Sequence, residues 1–248
     1  MSTSPQRSAA DTPTAAITAL AADHDVLAVV LQVTEAALHV LLWQHDRGPA
    51  AGSWALPGGP LMDDESLGQS VARQLAQKVD VRRLAHLEQL ETRSDLDRDP
   101  RGRVLATAYL GLVPADERSL LPADTRWHRV DALPDMAFDH ASITSSGVGR
   151  LRAKLSYTNL GFAIAPAVFT ASELQAVYQA ALGHEVSATN LKRILVRREQ
   201  IAATGERTSP GRSGGRPAAE YRFRTRHIEV TDQFAVLRPP EPPRTLSG

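Results

Sequence analysis

Residues 52–81 read GSWALPGGPLMDDESLGQSVARQLAQKVDV. Gly52 to Gly59 reads as a strand running into a Pro-Gly-Gly turn. From Asp64 to Val79 the period changes. Leu67, Val71 and Leu75 recur every fourth residue, the spacing of a helix with one apolar face. Asp63 or Asp64 stands where a side chain caps such a helix. Upstream, Val26 to Gln44 reads as two strands with a turn near Thr34 to Ala37. Downstream, Leu84 to Arg93 and Val104 to Val113 read as strands flanking a polar turn, Asp95 to Gly102. A helix over Ala141 to Leu155 closes this half. Strand and helix signals are mixed, which predicts an α+β layered fold.

A second unit begins near Tyr157. In Phe169-Thr-Ala-Ser-Glu-Leu174, Thr170 and Glu173 have capping-box spacing, and Phe169 and Leu174 have hydrophobic-staple spacing. The helix they start is expected to end at Gly183. Ser187 caps a second helix running to about Arg198. A strand start at Ile201 follows, then a Gly/Ser/Pro/Arg loop over Thr204 to Pro217 and a strand over Ala219 to Arg224. Helix, turn, helix and basic-tipped hairpin is the order of a winged helix-turn-helix. The expected organisation is a tail over residues 1–22, a first domain over 23–156, a winged helix over 157–228 and a C-terminal tail over 229–248.

Composition narrows the function classes. The chain has no cysteine, which excludes disulfides, thiolate metal sites and cysteine nucleophiles. Its longest apolar run, Val26 to Val33, is far short of the roughly 20 residues of a membrane helix. The first 22 residues lack the layout of a signal peptide. A cytoplasmic protein is expected. Net charge is zero but unevenly placed. Residues 184–228 carry ten basic and four acidic side chains, a net of +6, leaving −6 on the rest. Such asymmetry points one half at a polyanion.

The stretch from Gly59 to Val81 resembles the Nudix hydrolase signature. Gly59, Glu65, Arg73, Leu75 and Val81 fall at the signature's spacings, and Trp54-Ala-Leu-Pro-Gly-Gly59 matches its lead-in. The resemblance implies a Nudix α/β/α sandwich. Nudix enzymes use magnesium held by three helix glutamates, and here those positions are Gln74, Gln77 and Lys78. Two amides and an ammonium do not replace three anionic ligands for a hard cation. Hydrolysis is therefore expected to be absent or very slow, with no metal site and no required cofactor. The signature's closing Gly is Asp80. Further stretches resemble the NrtR family of Nudix-related transcriptional regulators of NAD metabolism: Leu87-Glu-Gln-Leu90, Asp97-Arg-Asp-Pro-Arg-Gly102, Ala137-Phe-Asp-His140, Arg150-Leu-Arg-x-Lys154, Phe169 to Leu174, and Gly214-Gly-Arg-Pro217 with Tyr221-Arg-Phe223. This resemblance covers roughly residues 24–224. It implies a homodimeric repressor of NAD-biosynthesis or salvage genes, bound to double-stranded operator DNA. ADP-ribose or another NAD-derived nucleotide would be its effector.

Two sets of residues carry these expectations. On the helix after Ser187, Leu191, Ile194 and Leu195 share one face; Thr189, Lys192, Arg193, Val196 and Arg197 lie opposite. With Asn190 and the loop residues Arg212 and Arg216, they are the candidate DNA contacts, set against the alternative of an ordinary solvated face. The candidate ligand contacts are Trp54, Gly58, Gly59, Glu65, Arg73, Arg98 and Arg101. Glu65 and Arg73 either brace the turn or hold a phosphate. Gly58 and Gly59 serve the turn or a close approach of ligand. Arg98 and Arg101 engage a ligand pyrophosphate or the DNA backbone, or stay local. His140 reads as a satisfied histidine. Two rivals stand beside the repressor. One is a pyrophosphohydrolase with metal ligands relocated among Glu88, Glu91, Asp95 and Asp97. The other is a binding module whose winged helix makes protein contacts.

Overall fold

A computed structural model of the chain describes residues 22–45, 48, 50–81, 83–118, 120–208 and 217–232. Among the described residues are ten strands, four α-helices and one short 3-10 helix. β1 (Asp23–Thr34) is the axis. It runs parallel to β6 (Val104–Val113) on one side; on the other it pairs antiparallel with β2 (Ala37–Gln44) and with the short β4 (Gly58–Pro60). β5 (His86–Arg93) pairs with β6 at one edge of the sheet. β3 (Trp54–Ala55) and β7 (Thr125–Arg129) pair with β2, completing a seven-stranded sheet.

Alternation along β1 decides the layers. Val26, Ala28 and Val30 pack with Val71, Leu75 and Val79 at α1 (Leu67–Lys78). Leu27, Val29 and Leu31 face the other way, into a cluster with Ile143, Leu151 and Leu155 of α2 (His140–Tyr157). A strand buried on both faces needs apolar residues at every position, hence the unbroken run in the sequence. The result is the expected α/β/α sandwich.

Several boundaries move. The cap of α1 is Ser66, in a reciprocal box with Gln69, and not Asp63 or Asp64. Those aspartates lie in a loop fixed by Glu65, which accepts from the Met62 amide, so the helix starts later. The β1–β2 turn places both Glu35 and Ala36 at positive φ, the twist two-residue hairpins favour. β7 had no expectation behind it: Trp127 is its one large apolar residue.

The second unit follows the expected order. β8 (Phe169–Thr170) leads into α3 (Ala171–Leu182), with the Thr170–Glu173 capping box formed and Gly183 left-handed at its end. α4 (Ala188–Arg197) is capped by Ser187. β9 (Ile201–Arg207) and β10 (Ala219–Phe223) pair antiparallel and β8 adds to β10. The expected boundary after residue 156 coincides with the last turn of α2, but the core continues through it. Phe162, Phe169, Leu174, Leu191, Leu195 and Phe223 belong to the same cluster as Leu27 and Leu31. Nor does packing stop at Ile228. Thr231 and Asp232 donate backbone N–H to the Tyr157 carbonyl, and Val230 bridges to Thr158. Among the described residues no helix is long and apolar enough to cross a membrane.

The α2–β1 contact is close enough to test. A Cβ on Gly147 would lie 2.7 Å from Val29 Cγ1. Gly147→Val is expected to destabilise by about 1–3 kcal/mol through overpacking. Urea denaturation measures this, and an unchanged midpoint would contradict the packing.

Candidate functional site

β4 and α1 build one wall of a cavity. A Cβ on Gly58 would meet Leu27 Cδ2 and the Val26 carbonyl at 2.5 Å, and one on Gly59 would meet Gln74 Nε2 at 2.7 Å. The two glycines thus let β4 press against β1 and α1 while their backbone faces the cavity. Lys78, on the last turn of α1, donates from Nζ to the Gly58 carbonyl at 2.5 Å and lies 4.2 Å above the centre of the Trp43 ring. Burial pushes its ammonium below the usual lysine range.

The facing wall comes from the 98–102 turn and the start of α2. Arg98, its side chain 2% exposed, forms a fork on Asp139, with Nη2 2.7 Å from Oδ1 and Nε 3.2 Å from Oδ2. Arg101 donates to Asp25 at 2.7 Å and to Asp99 at 2.5 Å, and lies over the Phe138 ring. His140 accepts the Leu56 amide on Nδ1 at 3.1 Å. Its burial holds its pKa down to about 4, so the ring is neutral. Between the walls lies a cavity of about 230 Å³. It adjoins a larger, more open one of about 680 Å³ that shares Ala50, Arg98 and Phe138. Two arginines, a lysine and four aromatic rings (Trp43, His45, Phe138, His140) line the cleft beside Asp25 and Asp99, which hold Arg101, and such a lining suits a ligand with phosphates and a planar base.

The Nudix metal positions do not fit a hard divalent cation. Gln74 is packed against Gly59, Gln77 is exposed, and Lys78 brings a positive charge. The other carboxylates are engaged or dispersed. Glu88 is ion-paired to Lys154, His86 and Arg150, and Glu91 to Arg93; Asp95 and Asp97 lie along the second cavity. Among the described residues no three acidic or histidine side chains are gathered for a metal.

A second surface lies on α4. Leu191 and Leu195 are buried; Thr189, Asn190, Lys192, Arg193, Val196 and Arg197 are exposed. Asn190 Oδ1 accepts from Arg193 at 2.7 Å, and Lys192 Nζ lies 5.1 Å from the Tyr221 ring centre. Thr189, Lys192, Arg193, Val196 and Arg197, with Ala171 and Ala188, border a shallow groove of about 610 Å³. The helix therefore offers a basic, hydrogen-bonding face on a firm apolar base.

Both halves have relatives. Residues 23–146 match the NUDIX domain, and residues 161–223 match the NrtR DNA-binding winged helix domain. The ADPR responsive transcriptional repressor NtrR of Acinetobacter baylyi is 31% identical over 201 residues, covering 78% of this chain and 79% of the relative. The chain belongs to the NrtR family. The crystal structure of Shewanella oneidensis NrtR with a 27mer DNA superposes with a TM-score of 0.68 at 31% identity, covering 81% of this chain and 93% of that one. A MutT/nudix family protein from Enterococcus faecalis has the same fold, with a TM-score of 0.67 at 24% identity, covering 83% and 89%.

Within this NrtR-family chain the expected site residues separate. Gly58, Gly59, Arg98 and Arg101 come together around the cavity. Trp54, Glu65 and Arg73 are not among its lining residues. Trp54 pairs with Gln44, one residue along from Trp43, so it points to the opposite sheet face and rests on His128. Arg73 is spent on Glu65 and the Pro60 carbonyl. The hydrogen bonds from Arg73 hold the Glu65 carboxyl down at about 2, as a brace for the loop. Sequence reasoning missed the wall role of Phe138 and His140, while Trp43 read as core or pocket wall alongside Trp54 and Trp127. The one signal it had was the Ala137-Phe-Asp-His140 stretch. Arg212 and Arg216 lie outside the described residues.

His140 gives a pH prediction. Its folded pKa of about 4 is below the ordinary 6.5, so between these values the unfolded chain binds a proton that the folded chain refuses. Stability falls as pH drops through that window, by on the order of 3 kcal/mol. His140→Asn is expected to flatten that part of the acid profile in denaturation curves at neutral and mildly acid pH. A profile with the same slope would show that another group carries it.

Proposed function

We propose that this chain represses genes of NAD biosynthesis or salvage. It would bind operator duplexes through α4 as a cytoplasmic homodimer and hold an ADP-ribose-like nucleotide in its Nudix cavity without hydrolysing it. The observation that carries this reading is the pairing, within one core, of a cleft lined by Lys78, Arg98 and Arg101, without the three helix glutamates of the Nudix signature, with an exposed basic helix. The relatives support it: the Acinetobacter protein is by name ADPR-responsive, and Shewanella NrtR was crystallised with DNA.

Gly58, Gly59, Arg98 and Arg101 would contact the ligand. Thr189, Asn190, Lys192, Arg193 and Arg197, with Arg212 and Arg216 from the loop, would contact DNA. The two sites have a physical connection. Arg98 grips Asp139, the residue before α2. At the far end of that helix the Ser156 carbonyl accepts from Arg198, the residue that closes α4, and Arg198 pairs with Asp232. A ligand that shifts Arg98 would tilt α2 and with it the reading helix. A coupling of about 1–3 kcal/mol is enough for such control.

The test begins with selecting duplexes from a random pool on the purified protein, followed by titrating ADP-ribose against the retained sequence. Sequence-specific retention that ADP-ribose alters is expected. No sequence preference, or release of AMP from ADP-ribose with magnesium at an enzyme's ordinary rate, would overturn the reading. Arg193→Ala and Arg197→Ala are each expected to weaken binding and lower the slope of log affinity against log salt by about 1 if each meets one phosphate. Because both side chains are exposed, melting temperature is expected to hold. Unchanged slopes would move the DNA contact away from α4.

A further inference from the structure

The Nudix fold implies a cation at the ligand's phosphates, and this chain's residues do not fit a bound metal. We propose that the Lys78 ammonium takes that place as a built-in cation contacting the diphosphate of the effector, so that binding needs no divalent metal. The proposal deepens the functional reading above and rests on it for the ligand class.

Lys78 occupies one of the three positions where a Nudix helix carries its metal-binding glutamates. Its ammonium has a carbonyl, Gly58 O, and the Trp43 ring face as partners, and it borders the cavity. Among the described residues no carboxylate forms an ion pair with it. Asp25, whose charge acts on Lys78, is itself hydrogen-bonded to Arg101. A half-buried ammonium with no carboxylate in contact is costly, and an anion entering the cleft relieves it. The opposite wall carries Arg98, held on Asp139, and Arg101, held on Asp25 and Asp99, so an anion between the walls meets cations from both sides and competes with Asp25 and Asp99 for Arg101. Fixed charges of this kind need no recruited ion, unlike magnesium, which keeps its own waters and demands oxygen ligands. The alternative is a strut: Lys78 only ties the end of α1 to β4 through Gly58.

Calorimetry with ADP-ribose in excess EDTA and in excess magnesium distinguishes these. Wild-type affinity is expected to be the same in both. Lys78→Met keeps the length and loses the charge, and is expected to weaken binding about tenfold or more in both. Lys78→Glu is expected to bind more weakly still in EDTA and to regain part of its affinity with magnesium, which bridges the new carboxylate and the diphosphate. A strut role moves affinity and melting temperature together and creates no metal dependence. Wild-type binding that requires magnesium, or Lys78→Met within about twofold of wild type, overturns the proposal while leaving the repressor reading intact. The wild-type comparison decides even if a variant fails to fold. If wild type ignores ADP-ribose, the ligand class of that reading fails. Inorganic pyrophosphate is then the probe. Pyrophosphate binding in EDTA that Lys78→Met abolishes sustains the Lys78 role, and its absence in wild type ends it.

Discussion

β1 is buried on both faces, and that constraint organises the molecule. Val26, Val29, Val30 and Leu31 are fully inaccessible, with α1 covering one face and α2 the other. A strand in this position cannot move without disturbing two layers at once. It also sets the cavity: β4 reaches β1 through Gly58, and Asp25, at the start of β1, receives Arg101. The cluster on the α2 side extends without a break into the winged helix. Each fully buried aliphatic side chain there contributes roughly 1.5–3 kcal/mol relative to exposure. The two functional halves therefore share a core, where separately folded domains are usually joined by a linker and a more polar interface.

α2 spans roughly 27 Å, from the rise of an 18-residue helix. Its first residue, His140, lines the cavity, and its last, Tyr157, accepts hydrogen bonds from the returning chain at Thr231 and Asp232. Its body packs on β1 at Gly147, where a side chain would collide with Val29. A stiff element held at both ends and in the middle transmits displacement better than a loop does. The Arg198–Asp232 pair ties the end of α4 to the same place.

The sequence carried the repeating features of this fold and few of the singular ones. Periodicity found α1, where an apolar face recurs over three turns, and local cap and staple spacings found α3 and α4. The Thr170–Glu173 box was legible because both partners are local in sequence. The cap of α1 was not. Two aspartates compete with Ser66 on propensity, and Glu65 and Arg73 decide the winner by fixing the loop. The candidate site was half legible. Gly58, Gly59, Arg98 and Arg101 come together as motif residues. Trp43 and Trp54 could not be told apart without the β2–β3 register, which sends them to opposite faces. Phe138 and His140 reach the cavity because α2 starts against Leu56, a contact 84 residues apart in sequence.

What this chain keeps of the Nudix signature separates folding from chemistry. Glu65 and Arg73 hold the loop; Gly58 has no room for a Cβ against the β1 backbone, and one on Gly59 would push the end of the Gln74 side chain aside. Asp80 replaces the closing glycine yet retains a left-handed φ of 50°, which aspartate tolerates better than most residues. Three glutamates on adjacent helix turns repel one another unless a metal neutralises them. Once the metal is dispensable, amides remove that repulsion, and a lysine in the last turn also complements the negative end of the helix. Glutamines at positions 74 and 77 thus relieve the empty fold of that repulsion, while the half-buried Lys78 ammonium keeps a desolvation cost of its own. The same exchange leaves a positive charge beside the cavity, where the signature would place a negative one.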